Sequence, residues 1–188
     1  MTIDKETGIW SLDIAKRRHR FDNALATAIA TQHTPKLAAD IGCGNGEYCA
    51  FFKNHGWPCV HGYEGTKDIT SLGIYDDILR VDLTKRRWVE VPYDFVLCLE
   101  VGEHIPLQCE QVFIDNLCEY ARQDLVMSWA VPGQGGAGHF NEKINAHVIT
   151  EFVKRGFEFR GAESEALREV ATLKWFKNTM LVFKRRGN

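Results

Sequence analysis

A three-layer α/β sandwich, with a mostly parallel sheet between two layers of helices, is the fold class this sequence predicts. Three observations carry that expectation. Short apolar runs alternate with amphipathic segments in a βα rhythm along the chain. A glycine-rich turn, Gly42-Cys43-Gly44-Asn45-Gly46, falls where the first apolar run passes into a helical pattern. The length of 188 residues, 45% of them hydrophobic and 26% charged, makes a single globular domain the default.

Taken in order, residues 11–32 place Ile14, Phe21, Leu25 and Ile29 at helical spacing, with Ser11 at the N-cap and Pro35 ending the segment. KLAADIG (36–42) reads as a short buried strand, and the turn after it opens a helix through about Asn54. CVHGYEG (59–65), IYDDILRVDL (74–83) and YDFVLCLEV (93–101) are the second, third and fourth strands. EQVFIDNLCEYAR (110–122) is an amphipathic helix with Val112, Leu117 and Tyr120 near its inner stripe. DLVMSWAV (124–131) is a fifth strand that runs into VPGQGGAGHFN (131–141), the most glycine-dense loop. Residues 142–155 read as a helix, FEFR (157–160) as a strand, 163–173 as a polar helix and NTMLVFKRR (178–186) as the closing strand. Ligands of open α/β sheets bind at the carboxyl ends of the strands, so the chemistry is expected on those loops.

The formal net charge is −2, so no strong basic field marks a nucleic-acid partner and no acidic tail marks a basic one. No apolar run reaches the ~18 residues of a membrane span, and the start MTIDKETG lacks a signal-peptide profile. The expectation is a soluble, cytoplasmic protein without a membrane partner. Six cysteines occur, at 43, 49, 59, 98, 109 and 118, with no CxxC pair. Most lie in apolar stretches, which excludes a disulfide framework and a structural zinc site.

The glycine turn is the strongest motif. Its spacing is GxGxG, one residue shorter than the dinucleotide fingerprint, and Asp40 stands just before Gly42. A carboxylate there repels a pyrophosphate and suits an ammonium or sulfonium group. Glu64, 18 residues beyond Gly46, ends the second strand, where an acid can accept two hydrogen bonds from a ribose diol. Asp82-Leu83 ends the third: the acid can accept from an exocyclic amine while the leucine packs on an adenine face, or Asp82 can simply cap a turn.

LAADIGCGNGEY, the acid at Glu64, the Asp82-Leu83 pair and YDFVLCLEVGEHI together resemble, over about residues 37–131, the ordered motifs of class I S-adenosylmethionine-dependent methyltransferases. The resemblance implies the Rossmann-like methyltransferase fold, a doubly wound seven-stranded sheet with a reversed last strand. It implies S-adenosyl-L-methionine as cofactor. Asp40, Gly42, Gly44 and Gly46 would hold its methionine portion, Glu64 the ribose, and Asp82 and Leu83 the adenine. Leu99 and Glu100 would line the methyl-transfer end. Residues 1–34 would be an N-terminal helical segment covering the cofactor site, and 35–188 the α/β core. The stretch after the fourth strand lacks the Asp/Asn-Pro-Pro-aromatic motif of amino-directed nucleic acid enzymes. The Pro58-Cys59 pair begins the second strand, far from the active end, unlike the nucleophile of cytosine-C5 enzymes.

Glu100, Glu103 and His104 form an ExxEH group, whose residues share one face if a helical turn starts there. A similar group, completed by a later histidine, holds a divalent metal in ubiquinone-pathway O-methyltransferases and small-RNA 2′-O-methyltransferases; the later histidine here is His139. Metal-free small-molecule methyltransferases also read EVxEH, and Gly102 inside the turn weakens a helical face, so the divalent metal is the less favoured reading. His139 has a second role open to it, as the base that takes a hydroxyl proton. The loop around it could be a glycine-hinged lid or a plain surface loop, with Gln134 and Asn141 as further acceptor contacts. Lys16-Arg17-Arg18-His19-Arg20 either closes over the cofactor carboxylate, attracts an anionic acceptor or is a solvated face. Trp10, Trp129 and Trp175 either stack on a substrate or fill the core.

The expected activity is O-methylation of a small-molecule acceptor, with His104 and His139 near the reacting atoms. The runner-up is an RNA 2′-O or cap methyltransferase, and a non-catalytic S-adenosylmethionine-binding protein is the rival from another class. A dinucleotide oxidoreductase is the most distant reading. Acceptor identity and oligomeric state are not legible in the sequence.

Overall fold

The computed structural model describes residues 3–187. Seven strands form one sheet: β1 Ala38–Ile41, β2 Val60–Glu64, β3 Ile78–Arg80, β4 Tyr93–Cys98, β5 Ala121–Met127, β6 Phe157–Phe159 and β7 Leu181–Arg185. Their spatial order is β3-β2-β1-β4-β5-β7-β6. The first five are parallel, and β7 runs antiparallel to both β5 and β6. The reversed last strand is therefore present, inserted beside β5.

All four residues of β1 are buried, as are five of the six in β4, because helices cover both faces. On one face lie α4 (Glu110–Tyr120) and α5 (Asn145–Lys154), which bring Phe113, Ile114, Leu117, Val148 and Phe152 against Val96, Leu125 and Phe183. On the other lie α2 (Asn23–Gln32), α3 (Glu47–Asn54) and α6 (Gly161–Val170), which supply Leu25, Ile29, Phe52 and Leu167. Leu117 and Tyr120 of the expected α4 stripe are buried, but Phe113 and Ile114 complete it and Val112 is only half-buried.

The N-terminal segment is two helices rather than one, α1 (Leu12–Arg18) and α2, broken over residues 19–22. Arg20 Nη1 donates to the carbonyls of Arg17 and His19, closing the end of α1. Fully buried Asp22 opens α2: Oδ1 accepts from Leu25 N at 3.1 Å, and Oδ2 from Thr172 N and Leu173 N at 2.7 and 2.8 Å. Its burial pushes the carboxyl up, but the bonds from Leu173, Leu25 and Thr172 hold it below its ordinary value. Asp22→Ala will leave three amides without their acceptor and destabilise the protein by about 3 kcal/mol. Urea unfolding checks this, and a loss under about 1 kcal/mol contradicts it. Stability from this group is present at neutral pH and disappears as pH falls through its lowered folded value.

The third strand shrinks to three residues, because Tyr75 turns its hydroxyl to the Val60 carbonyl and Asp82 already closes a turn. A short helix, α7 (Phe176–Thr179), had no periodic signal. No helix among the described residues is long and apolar enough to cross a membrane.

Candidate active site

The strand order reverses between β1 and β4, and a cavity of about 490 Å³ opens at their carboxyl ends. Its floor is the glycine turn. Gly42, Gly44 and Gly46 have φ of 75°, 57° and 82°, which side-chain-bearing residues rarely adopt. Space is as restrictive as angle: a Cβ on Gly44 would stand 1.9 Å from the His19 ring, and one on Gly42 2.3 Å from Val101.

Asp40 is 3% exposed and touches the Cys49 thiol at 3.7 Å. No cation among the described residues pairs with it, and burial raises its carboxyl to about 7. Glu64 is pinned beside the turn: Oε2 accepts from Gly44 N at 3.0 Å and Oε1 from both Thr66 N and Oγ1 at 2.8 Å. Leu83 and Leu99 line the cavity, as does Glu100. Asp82 does not line it; its carboxylate accepts from Thr84 N and Oγ1 and pairs with Lys85 at 3.1 Å, closing a turn.

The ExxEH group is not a helical face. Glu100 has φ +53° and only Gly102–His104 forms a single tight turn. Gly102 is there because the Trp129 indole lies against it; a Cβ would meet that ring at 2.3 Å. Trp129 is fully buried and donates to the Asn141 carbonyl, so it is core rather than a stacking platform.

Even so, Glu103, His104 and His139 converge: one donor atom of each lies within 4.8 Å of the others. Glu103 is fully buried and neither oxygen has a hydrogen-bond partner among the described residues. Burial, with Glu100 as a second carboxylate nearby, pushes its carboxyl well up. Glu100 is raised by burial too, with Oε1 unpartnered and Oε2 accepting from Gln134 at 2.6 Å. His104 Nδ1 meets the Gly138 carbonyl at 3.0 Å, and burial holds its imidazole down at about 4. His139 Nδ1 meets Glu142 Oε1 at 3.0 Å while Nε2 faces Glu103 Oε1 at 4.0 Å. In both histidines the orienting bond is made through Nδ1, leaving Nε2 for the cluster.

The loop bearing His139 is tied down instead of hinged. Glu142 accepts from the amides of Gly133 and Gly135, and the amides of Phe140 and Asn141 donate to the Glu103 carbonyl. Asn141 is buried and donates to Glu110, a carboxylate that also holds Lys143 and His147. Asn141 is therefore structural, whereas Gln134 lines the cavity.

The roof comes from the N-terminal segment, and the individual contacts of Gly8 and His19 in it were not assigned from the sequence. Thr7–Trp10 and Arg18–Arg20 close over the cavity. Trp10 stands edge-on to His104 at 5.0 Å and 5.6 Å from His19. Gly8 packs on the His104 backbone so closely that a Cβ would meet its carbonyl at 2.0 Å. Burial lowers the His19 imidazole despite Glu64 and Glu47 nearby.

Strand order and reversed β7 together define a Rossmann-like methyltransferase fold. Among solved structures, the chain is similar to magnesium protoporphyrin IX methyltransferase from Synechocystis with bound S-adenosylhomocysteine: 17% identity, TM-score 0.61, covering 93% of this chain and 83% of that one. It is similar to the methyltransferase domain of bacterial CtHen1-C, at 19% identity and TM-score 0.62, over 87% of this chain and 97% of that one. A TehB-like methyltransferase from Corynebacterium glutamicum is similar at 12% identity and TM-score 0.64, over 93% of each chain. Such identities show the fold alone. No protein-family profile and no curated protein matches the sequence.

Proposed function

We propose that the protein is an S-adenosyl-L-methionine-dependent methyltransferase that methylates a hydroxyl of a small-molecule acceptor. The observation that carries this reading is buried Asp40, which has no cationic partner among the described residues and lines the same cavity as the glycine turn. A cofactor with an ammonium group and no phosphate supplies the missing charge. The cavity is of ligand size, Glu64 stands where a ribose can reach it, and Val81 and Leu83 offer an apolar wall. Similar folds have been solved with S-adenosylhomocysteine and S-adenosylmethionine bound.

The second part of the site fits a divalent ion. A fully buried carboxylate with no partner is costly unless a cation neutralises it, and two imidazoles with free Nε2 atoms stand beside it. Glu103, His104 and His139 would hold the ion, with Glu100 beside them. Two nitrogens in the donor set favour a first-row transition ion over magnesium or calcium. When bound, such an ion lowers the pKa of a hydroxyl so that it is nucleophilic near neutrality. His139 then serves as a ligand rather than as the base. The chain's own residues position the reactants and exclude water: Asp40 and Glu64 fix the donor, and the Thr7–Trp10 roof shuts out solvent. The acceptor hydroxyl loses its proton to water as it binds; attack by the resulting oxyanion forms the C–O bond as the C–S bond breaks, and sulfur leaves as the neutral thioether.

Methylation of an RNA 2′-hydroxyl remains as a second reading, favoured by Lys16, Arg17, Arg18 and Arg20, which form no salt bridge with any described residue. Calorimetry with S-adenosylhomocysteine is the deciding measurement. One-to-one binding, with methyl transfer from labelled cofactor to a hydroxyl compound, is expected; no binding, alongside binding of a nicotinamide dinucleotide, overturns the proposal. Steeply salt-dependent RNA binding would select the second reading.

A further inference from the structure

A second groove, of about 530 Å³, adjoins the cofactor cavity on the side of the Glu103–His104–His139 cluster. Arg18 and Ala137 line both spaces, and Gly138, whose carbonyl holds His104 Nδ1, lines the groove. A molecule lying in the groove would thus reach the reacting end of the cavity past one loop residue.

Its lining has two characters. Ile3, Ile14 and Phe140 make it apolar, and Phe140 is left 44% exposed in the loop. Lys5, Arg17 and Arg18 supply all of its charge; no carboxylate lines it, and none of the three forms a salt bridge with a described residue. Three uncompensated cations around an apolar hollow attract a ligand with a negative group on an apolar body.

The walls are held in place. Ile3 bridges Trp10, and Asp4 N donates to the Ile9 carbonyl while Gly8 N donates to that of Asp4. Ile3 packs on Gly138 so tightly that a Cβ there would lie 2.7 Å from Ile3 Cδ1. The bonds of Arg20 to the Arg17 and His19 carbonyls fix the end of α1 that carries Arg17 and Arg18.

We infer that the methyl acceptor is an anion, a hydroxyl compound whose phosphate or carboxylate pairs with Lys5, Arg17 and Arg18 while its apolar body lies on Ile3, Ile14 and Phe140. The inference rests on the methyltransferase reading and deepens it. Of the three cations only Arg18 also lines the cofactor cavity, where it can meet the cofactor's carboxylate; Lys5, Ile14, Arg17 and Phe140 line the groove alone.

The test is a backbone-amide NMR titration of the full chain, saturated with S-adenosylhomocysteine, with phenyl phosphate, salicylate, phenol and inorganic phosphate. At least one aryl anion is expected to shift Ala137, Gly138 and Phe140 and to bind at least tenfold more tightly than phenol and than inorganic phosphate. Whether phenyl phosphate or salicylate binds better identifies the anionic group. The Lys5→Ser/Arg17→Ser variant, altered at exposed positions outside the cofactor cavity, should weaken aryl-anion binding at least tenfold and leave S-adenosylhomocysteine binding unchanged. Equal binding of phenol, equal binding of inorganic phosphate, shifts confined to other residues, or an unchanged variant would each overturn the assignment. Should S-adenosylhomocysteine fail to bind, the methyltransferase reading falls, and the same titration of the ligand-free chain still decides whether the groove takes aryl anions.

Discussion

Asp40→Asn will weaken S-adenosylhomocysteine binding by about 1.5–3 kcal/mol, the worth of a charge-assisted hydrogen bond, or roughly 10- to 100-fold in Kd. The wild-type carboxyl is raised to about 7 by burial, so the ligand-free protein holds a proton there through the mildly acid range. An ammonium group beside it favours the ionised form, and binding must release that proton. Affinity should therefore rise with pH up to about 7, by close to tenfold per unit well below it, and then level off. The linkage for folding has the opposite sense. A raised carboxyl contributes stability that is complete at low pH and is lost as pH rises through 7, so the ligand-induced gain in Tm should widen from acid to neutral pH. The substitution removes both slopes because an amide does not titrate. Calorimetry at several pH values checks this; a wild-type affinity flat from about pH 5 to 8, or an unchanged affinity in the variant, would contradict the role given to Asp40.

Glu103→Gln is expected to abolish stoichiometric binding of a divalent transition ion and to lower methyl transfer by at least about 100-fold. Chelation of the wild type should do the same to turnover, with activity restored by adding the ion. Metal content after dialysis gives a readout independent of activity. Stability should move the other way. Burial and the adjacent Glu100 push the Glu103 carboxyl well up, so the metal-free wild type loses stability as pH rises from acid to neutral. The metal-free glutamine variant should be more stable than the metal-free wild type at neutral pH, and the bound ion should erase the wild-type slope. Full turnover in chelator, or equal metal content in the two proteins, would sink the assignment.

How much of this was readable follows from distance along the chain. The strands could be read because a sheet covered on both faces demands near-continuous apolar runs, and AADI and YDFVLC are such runs. The glycine turn could be read because its constraints are local: three positive φ values within five residues admit little but glycine. The break in the N-terminal helix does have a local signal, Asp22 capping Leu25 N, but the burial that fixes this carboxylate comes from amides about 150 residues away, which no local pattern records. Asp82 is ambiguous for the opposite reason, since a turn and a ligand contact share one local pattern; the structure shows its bonds to Thr84 and Lys85.

The sequence by itself determined the layered α/β class, the place of the glycine turn on it and the acid that stands just before that turn, since each depends on neighbours in the chain. Only the tertiary structure decided that His139 meets Glu103 and His104 from a separate loop, that Glu103 is fully buried with no hydrogen-bond partner among the described residues, and that Trp10 and His19 close the roof. Those are facts of solvent exclusion and approach between remote segments. They set how strongly a charge is felt, and no periodicity or spacing records them.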